Sequence, residues 1–306
     1  MSAREARTVL PPQPPTASRA RAWLANPWAK ARFLWLIAIG YTLWALVPVL
    51  IAVVYSFNSG RSLTSLQGLS LRWYLWDVNS VRMDDSLRSA LLQSFKLTVC
   101  VVVIAVPFGV GFALALDRWR SRAAASANFV MLFSFITPEL AIGVALFLFF
   151  TQLVHGLGLG FPAQVLGLSM FQLAYTVIIV RARLLSIGRQ YEEAAMDLGA
   201  SPVQALRRVL LPLVMPAILA SFAIVFATSI DNFVISQQLS SGAATQTVPI
   251  LIYSSARRAP LPSLNALATI TLLASTVLIA ATIGVYRRWT RDEHAEVTPA
   301  RIGLPV

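Results

Sequence analysis

Charge is what this 306-residue chain has least of: Asp, Glu, Lys and Arg together make up 12% of it, where an ordinary soluble domain carries about a quarter. It cannot clothe a soluble surface, so neither a soluble enzyme nor a nucleic-acid partner is expected. Cysteine is reduced to Cys100, inside an apolar run, which excludes an intrachain disulfide and a cysteine metal cluster. His155 and His294 stand far apart in sequence, so no zinc site or histidine-activated nucleophile is expected. Lysine occurs only at Lys30 and Lys96, followed by Ala31 and Leu97, and a phosphate loop needs Gly-Lys-Ser or Gly-Lys-Thr. The chain therefore cannot hydrolyse ATP itself. Catalytic, metal and cofactor residues are all expected to be none.

Apolar residues, at 57%, are what is there in excess. A helix crossing a bilayer needs about 20 mostly apolar residues, and six runs qualify: residues 33–55, 97–116, 129–154, 163–180, 213–235 and 264–286. No Asp, Glu, Lys or Arg interrupts the 41 residues from Leu140 to Val180, and Gly156, Gly158, Gly160 and Pro162 supply the turn that makes two spans of them. The runs do not alternate as barrel strands would, so the expectation is an all-α membrane protein with six transmembrane helices.

Arginine placement gives its orientation, because basic residues are retained on the cytoplasmic side. Six basic residues precede Phe33, three lie at Arg118, Arg120 and Arg122, five run from Arg181 to Arg208 and four follow the last span. The opposite side holds Arg61, Arg72, Arg82, Arg88, Arg257 and Arg258, offset by Asp77, Asp84 and Asp85. Both termini are thus expected in the cytoplasm. Residues 1–32 read as a basic, Pro-rich tail near anionic lipid, residues 33–286 as the membrane domain and residues 287–306 as a second tail. A long outer loop, residues 56–94, carries Trp73, Tyr74 and Trp76, expected at the headgroup level.

Between spans four and five the sequence reads as two helices around a tight corner. Glu192 to Leu198 are good helix formers with acids in the first turn, and Gly199 suits the left-handed residue that closes a helix. Ser201 then caps a second helix, Pro202 fits its first position and Gln204 completes a capping box. Pro212 and Pro216 follow, so span five should begin bent or loosely bonded. A short helix of small residues and acids at a membrane surface is shaped to fit a groove on another protein, or is simply a solvated interfacial helix.

Glu193-Ala194-Ala195, three residues, Gly199, nine residues, Val209, one residue and Leu211-Pro212 resemble the EAA motif of ABC importer permeases, with Val209 where that motif usually has Ile. Asp231 to Ser236, Thr247 to Ile250, Ile252 to Ser254 and Leu264 to Ile270 look like the matching stretches of spermidine/putrescine importer permeases. Over residues 69–286 the resemblance implies a type I ABC importer permease fold in a bacterial plasma (inner) membrane. It also implies a dimeric cytoplasmic ABC ATPase, a second and different permease, and an extracytoplasmic binding protein that delivers polyamine. By the same resemblance Glu193, Ala194, Ala195 and Gly199 contact the ATPase, with Glu192 and Asp197 as neighbours. ATP is then bound by the partner.

Two acids fall within spans, Glu139 and Asp231. A carboxylate at mid-bilayer costs about 2.5 to 3.5 kcal/mol, so such groups face a cavity or a partner. Together they are expected to mark a cation path, with Asn232 standing where polyamine permeases often have a second Asp. The bland reading is that Asp231 bonds backbone at a helix end and that Glu139, after Pro138, bonds amides freed there. Competing functions are import of another organic cation, an amino-acid-like solute or a metal chelate, a proton-coupled secondary transporter using the same two acids, and a membrane scaffold without transport.

Overall fold

The computed structural model describes residues 32–119, 121–154, 156–257 and 261–296, and the leader, His155, Arg120, Arg258 and residues 297–306 lie outside the described set. Contacts divide the chain into two units, residues 1–51 and 52–306. The first is represented by residues 32–51 of helix α1, Arg32–Ser56, a mostly apolar helix with Pro48 inside it. Everything that follows belongs to the second unit.

The outer loop is an ordered fold rather than a membrane-surface strap. Asn58 is buried, its amide donates to Ser62 O at 2.8 Å and Ser65 O at 2.9 Å, and its Oδ1 accepts from Gln67 N at 2.8 Å. Trp73, on the short helix α2 (Arg72–Leu75), is 0% exposed and donates its indole N–H to Asn58 O at 2.7 Å. The expectation of a headgroup-level ring thus fails for Trp73, because the ring is buried in a core shared with Val248, Leu251, Leu264 and Leu267 and the indole N–H finds a loop carbonyl. Tyr74 shares a hydrogen bond of 2.6 Å with Ser56, and Trp76 alone of the three is well exposed.

Asp84 caps helix α3, Asp85–Arg118, accepting from Ser86 N and Leu87 N. At 34 residues it is about 51 Å long, well beyond the expected span. The third expected span, residues 129–154, falls on helix α4, Arg122–Ile136, and helix α5, Glu139–Leu148. The two helices meet at 110°. Pro138 explains the break: it forces Thr137 out of the helical region, to ψ 134°, and brings no N–H to continue the ladder. A π-helical turn, Phe149–Leu153, extends α5.

Helix α6, Phe161–Ile187, starts at Gly160, whose φ of 132° needs glycine, with Pro162 in the first turn. Helix α7, Gln190–Asp197, and helix α8, Pro202–Ala205, form the expected corner. The π-helical turn Leu206–Leu210 then leads into helix α9, Leu211–Ile230. That widened turn accommodates Pro212, whose ring would otherwise press on the carbonyl four residues back. Span five was expected to reach residue 235, but α9 stops at Ile230 and the chain turns through Asp231 into helix α10, Val234–Gln238. Helix α11, Val248–Ala256, and helix α12, Pro262–Glu296, complete the chain, so residues 287–296 continue a helix where a tail was expected.

Helices α3, α6 and α9 pack on one another, with Leu97, Val101, Ala105, Leu168, Val225 and Ile230 in their common core. Among the described residues, five helices are long and apolar enough to cross a membrane, with the bent α4–α5 pair making a sixth crossing if it is one span. The fold is an all-helical, multi-span membrane protein, and among the described residues it contains no strand, only an isolated antiparallel bridge between Asn58 and Leu69.

Candidate functional site

Two places gather the polar chemistry of the chain. The first is the α7–α8 corner. Gly199 takes φ 89°, its N–H bonds Met196 O at 2.9 Å and Ala200 N bonds Ala195 O at 3.0 Å, which closes α7. Ser201 accepts from Gln204 N while Gln204 Oε1 accepts from Ser201 N at 2.9 Å, a reciprocal capping box. Glu193, Ala194, Asp197 and Gly199 are exposed, and Ala195 is half-buried. Exposed apolar side chains accompany them, above all Leu198 at 90%. Glu192 differs from its neighbours: it is buried and accepts hydrogen bonds from Arg118 at the end of α3.

The second place is where helices break. Asn232 is buried just beyond α9, and its amide donates to Glu139 Oε1 at the start of α5. Its own Oδ1 accepts from Ser236 N at 3.2 Å and Ser236 Oγ at 3.3 Å. The freed-amide role considered for Glu139 is thus replaced by a side chain from another element. Gly143, one turn further along α5, lets α10 come close: a methyl group there would lie 3.2 Å from Gln238 Cγ. Asp231 is exposed at the end of α9, its backbone N–H bonds Ser229 O, and its side chain has no hydrogen bond or ion pair among the described residues. The structure therefore joins Glu139 to Asn232 and leaves the Asp231 carboxylate open.

Sequence reasoning passed over the residues that hold this region. Gln164 of α6, fully buried, donates to Ser236 O at 2.9 Å and Thr245 O at 3.0 Å, so it pins both sides of the segment after α10. Gln172 accepts from Thr228 Oγ1 at 3.0 Å, joining α6 to α9. A glutamine inside an apolar run was the available signal, since a buried amide in a membrane helix needs a partner. A separate cavity of about 610 Å³ lies between α9 and α12, lined by Ala220, Ile224, Thr228, Ile279 and Thr282 among others; it contains neither acid.

A corner helix presented at a membrane surface, together with acids at helix breaks, defines a transport component rather than an enzyme. Residues 105–292 match the family described as binding-protein-dependent transport system inner membrane component. The chain belongs to this family and is a non-catalytic, multi-pass permease of an ABC importer in the inner membrane, working with an ATPase and a substrate-binding protein. It is 33% identical over 252 residues to the putrescine transport system permease protein PotI of Escherichia coli K12, covering 81% of this chain and 86% of that one. It is also 33% identical over 251 residues to the spermidine/putrescine transport system permease protein PotC of the same strain, covering 82% and 92%. Among solved structures, a bacterial ABC transporter that imports the acidic polysaccharide alginate matches with a TM-score of 0.68 at 13% identity, over 88% of this chain and 99% of that one. The MetNI methionine ABC transporter in inward-facing form matches with a TM-score of 0.54 at 18% identity, over 66% and 93%. At these identities the two structures speak for the fold.

Proposed function

We propose that this permease imports polyamines, with Asp231, Asn232 and Glu139 on the path and the exposed face of α7 docked on a cytoplasmic ATPase dimer. The observation that carries the reading is the pair of carboxylates at helix breaks, Asp231 open and Glu139 held only by a neutral amide. A polyamine is a string of ammonium groups on an apolar chain, so separated carboxylates in an apolar wall are the matching chemistry. The path is completed by a second permease, a different chain as in the family pattern. With the arginine-rich end in the cytoplasm, α7 faces the ATPase and the binding protein delivers substrate at the end carrying the Trp73 loop. Inward movement of each positive charge is then favoured by about 2.3 kcal/mol per 100 mV.

Uptake of labelled putrescine and spermidine, in cells stripped of their own polyamine importers and supplied with the complete transporter, tests this. Asp231→Asn should weaken uptake while the complex still assembles, and Glu193→Arg or Gly199→Val should abolish it while the chain still inserts. Uptake should survive a protonophore and fail on ATP depletion. A correctly assembled complex that takes up neither polyamine refutes the substrate, and normal uptake with Glu193→Arg refutes the docking face.

A further inference from the structure

Glu192 lies in the first turn of the helix read as the ATPase dock, yet it is only 5% exposed. Arg118 Nη2 donates to both of its carboxylate oxygens, and Arg118 Nε lies 3.7 Å from Asp117 Oδ2. A second arginine crosses the same gap in the other direction: Arg189, the residue before α7, donates from Nη2 to Asp117 O at 2.8 Å. The chain turns at a glycine on either side of α7, Gly188 at φ 73° toward α6 and Gly199 at φ 89° toward α8. α7 packs on α8 and on the Leu206–Leu210 turn, and the two arginine links give it a second attachment, to α3. That helix, with Pro107 inside it, carries Ser94 toward its start, where Ser94 Oγ accepts from Val248 N at 2.8 Å, the first residue of α11.

We propose that Arg118 and Glu192 are positioning residues that fuse α7 to α3 as one rigid body. The ATPase stroke then reaches the segment between Asp231 and Val248 along α3 as well as through the Leu206–Leu210 turn and α9. This rests on the reading that α7 docks on the ATPase. A buried carboxylate stripped of its partner is strongly unfavourable, so the pair resists separation through the cycle.

The test uses the purified complete transporter in liposomes, reading ATPase retention, ATP hydrolysis and substrate moved per ATP. Glu192→Gln should keep the ATPase bound and hydrolysing while substrate per ATP falls at least tenfold, and the exchange Arg118→Glu with Glu192→Arg should recover most of it. Because single variants of a buried pair can fold poorly, a second arm places Arg118→Cys and Glu192→Cys in a Cys100→Ser background. Joining the two thiols with a short bismaleimide should restore transport to the uncoupled double variant. Unchanged substrate per ATP with Glu192→Gln overturns the proposal, as does a cross-link that fails to restore transport. Loss of the ATPase with Glu192→Gln overturns it too, by making Glu192 a docking contact. Glu193→Arg reads the docking face separately, since it should release the ATPase whatever the fate of the strut.

Discussion

Replacing Gln164 by Leu keeps the volume of the side chain and removes one amide that serves two carbonyls, Ser236 O at 2.9 Å and Thr245 O at 3.0 Å. Neither carbonyl has another side-chain donor, and the residue is fully buried, so water cannot substitute without the segment opening. Each buried acceptor left unpaired costs about 1 to 3 kcal/mol, which puts the pair at about 2 to 6 kcal/mol. At the low end, about 2 kcal/mol raises the open population of residues 231–247 about 30-fold. Thr247 offers a reporter: it is 2% exposed and its hydroxyl makes no hydrogen bond in the protein, so Thr247→Cys in a Cys100→Ser background is a mild change. Maleimide labelling at that position should accelerate about 30-fold with Gln164→Leu, and uptake should fall while the ATPase stays bound. Labelling and uptake equal to those of the parent would refute the assignment of Gln164 as the pin of this segment.

Asn232→Asp should lower uptake about 10- to 100-fold, since a hydrogen bond to a carboxylate of about 1.5 to 3 kcal/mol is replaced by repulsion with Glu139, and adding Glu139→Gln, which reverses donor and acceptor, should recover it. Gly109→Ala should destabilise the complex by about 1 to 3 kcal/mol, read as a lower melting temperature, because its methyl group would come 2.5 Å from Cβ of Thr176, a stiff β-branched neighbour; Thr176→Ala should relieve it. Asp77, in the outer loop, has its carboxyl held below the ordinary range by the Asn79 N–H, against burial and with help from Arg72. Its contribution to stability is present above the ordinary carboxylate range and disappears as pH falls through the lowered value. Thermal melting from neutral to strongly acid pH should accordingly show Asp77→Asn less stable at neutrality, with the gap closing in acid.

The apolar runs and the α7–α8 corner were legible because both are set by local rules. Span length follows from composition, and Ser201, Pro202, Gln204 and Gly199 each determine the backbone within three residues of themselves. The bend at Pro138 was written just as locally, but the third span was drawn over residues 129–154 from apolar length, which says nothing of a turn within it. What sequence could not supply was pairing at a distance. Glu192 and Arg118 are 74 residues apart, and Asn232 and Glu139 are 93 apart. Arg118 therefore read only as one more charge on the basic side, and Asn232 only as a charge missing beside Asp231. Trp73 failed for a related reason, since a ring near a membrane surface is indistinguishable by type from a ring buried in a core.

Breaking a helix inside an apolar layer frees backbone groups that lipid cannot satisfy, so each break must be met by protein. Here the groups that meet them are side chains: Gln164 of α6 for the carbonyls of Ser236 and Thr245, Ser94 of α3 for the N–H of Val248, and Asn232 of the adjoining turn for the N–H of Ser236. Those are also the places where the acids of the apolar layer stand, because a carboxylate costs least where polar partners are already assembled. The same bonds thus hold the segment in place beside the acids of the proposed path. Asn232 shows the consequence most directly, for its amide neutralises nothing yet orients the Glu139 carboxylate, where Gly143 lets α5 and α10 pack closely. On the proposed path, a cation that drew Glu139 away from Asn232 would loosen the crossing that Gln164 otherwise secures, so recognition and opening would be two readings of one hydrogen-bonded cluster.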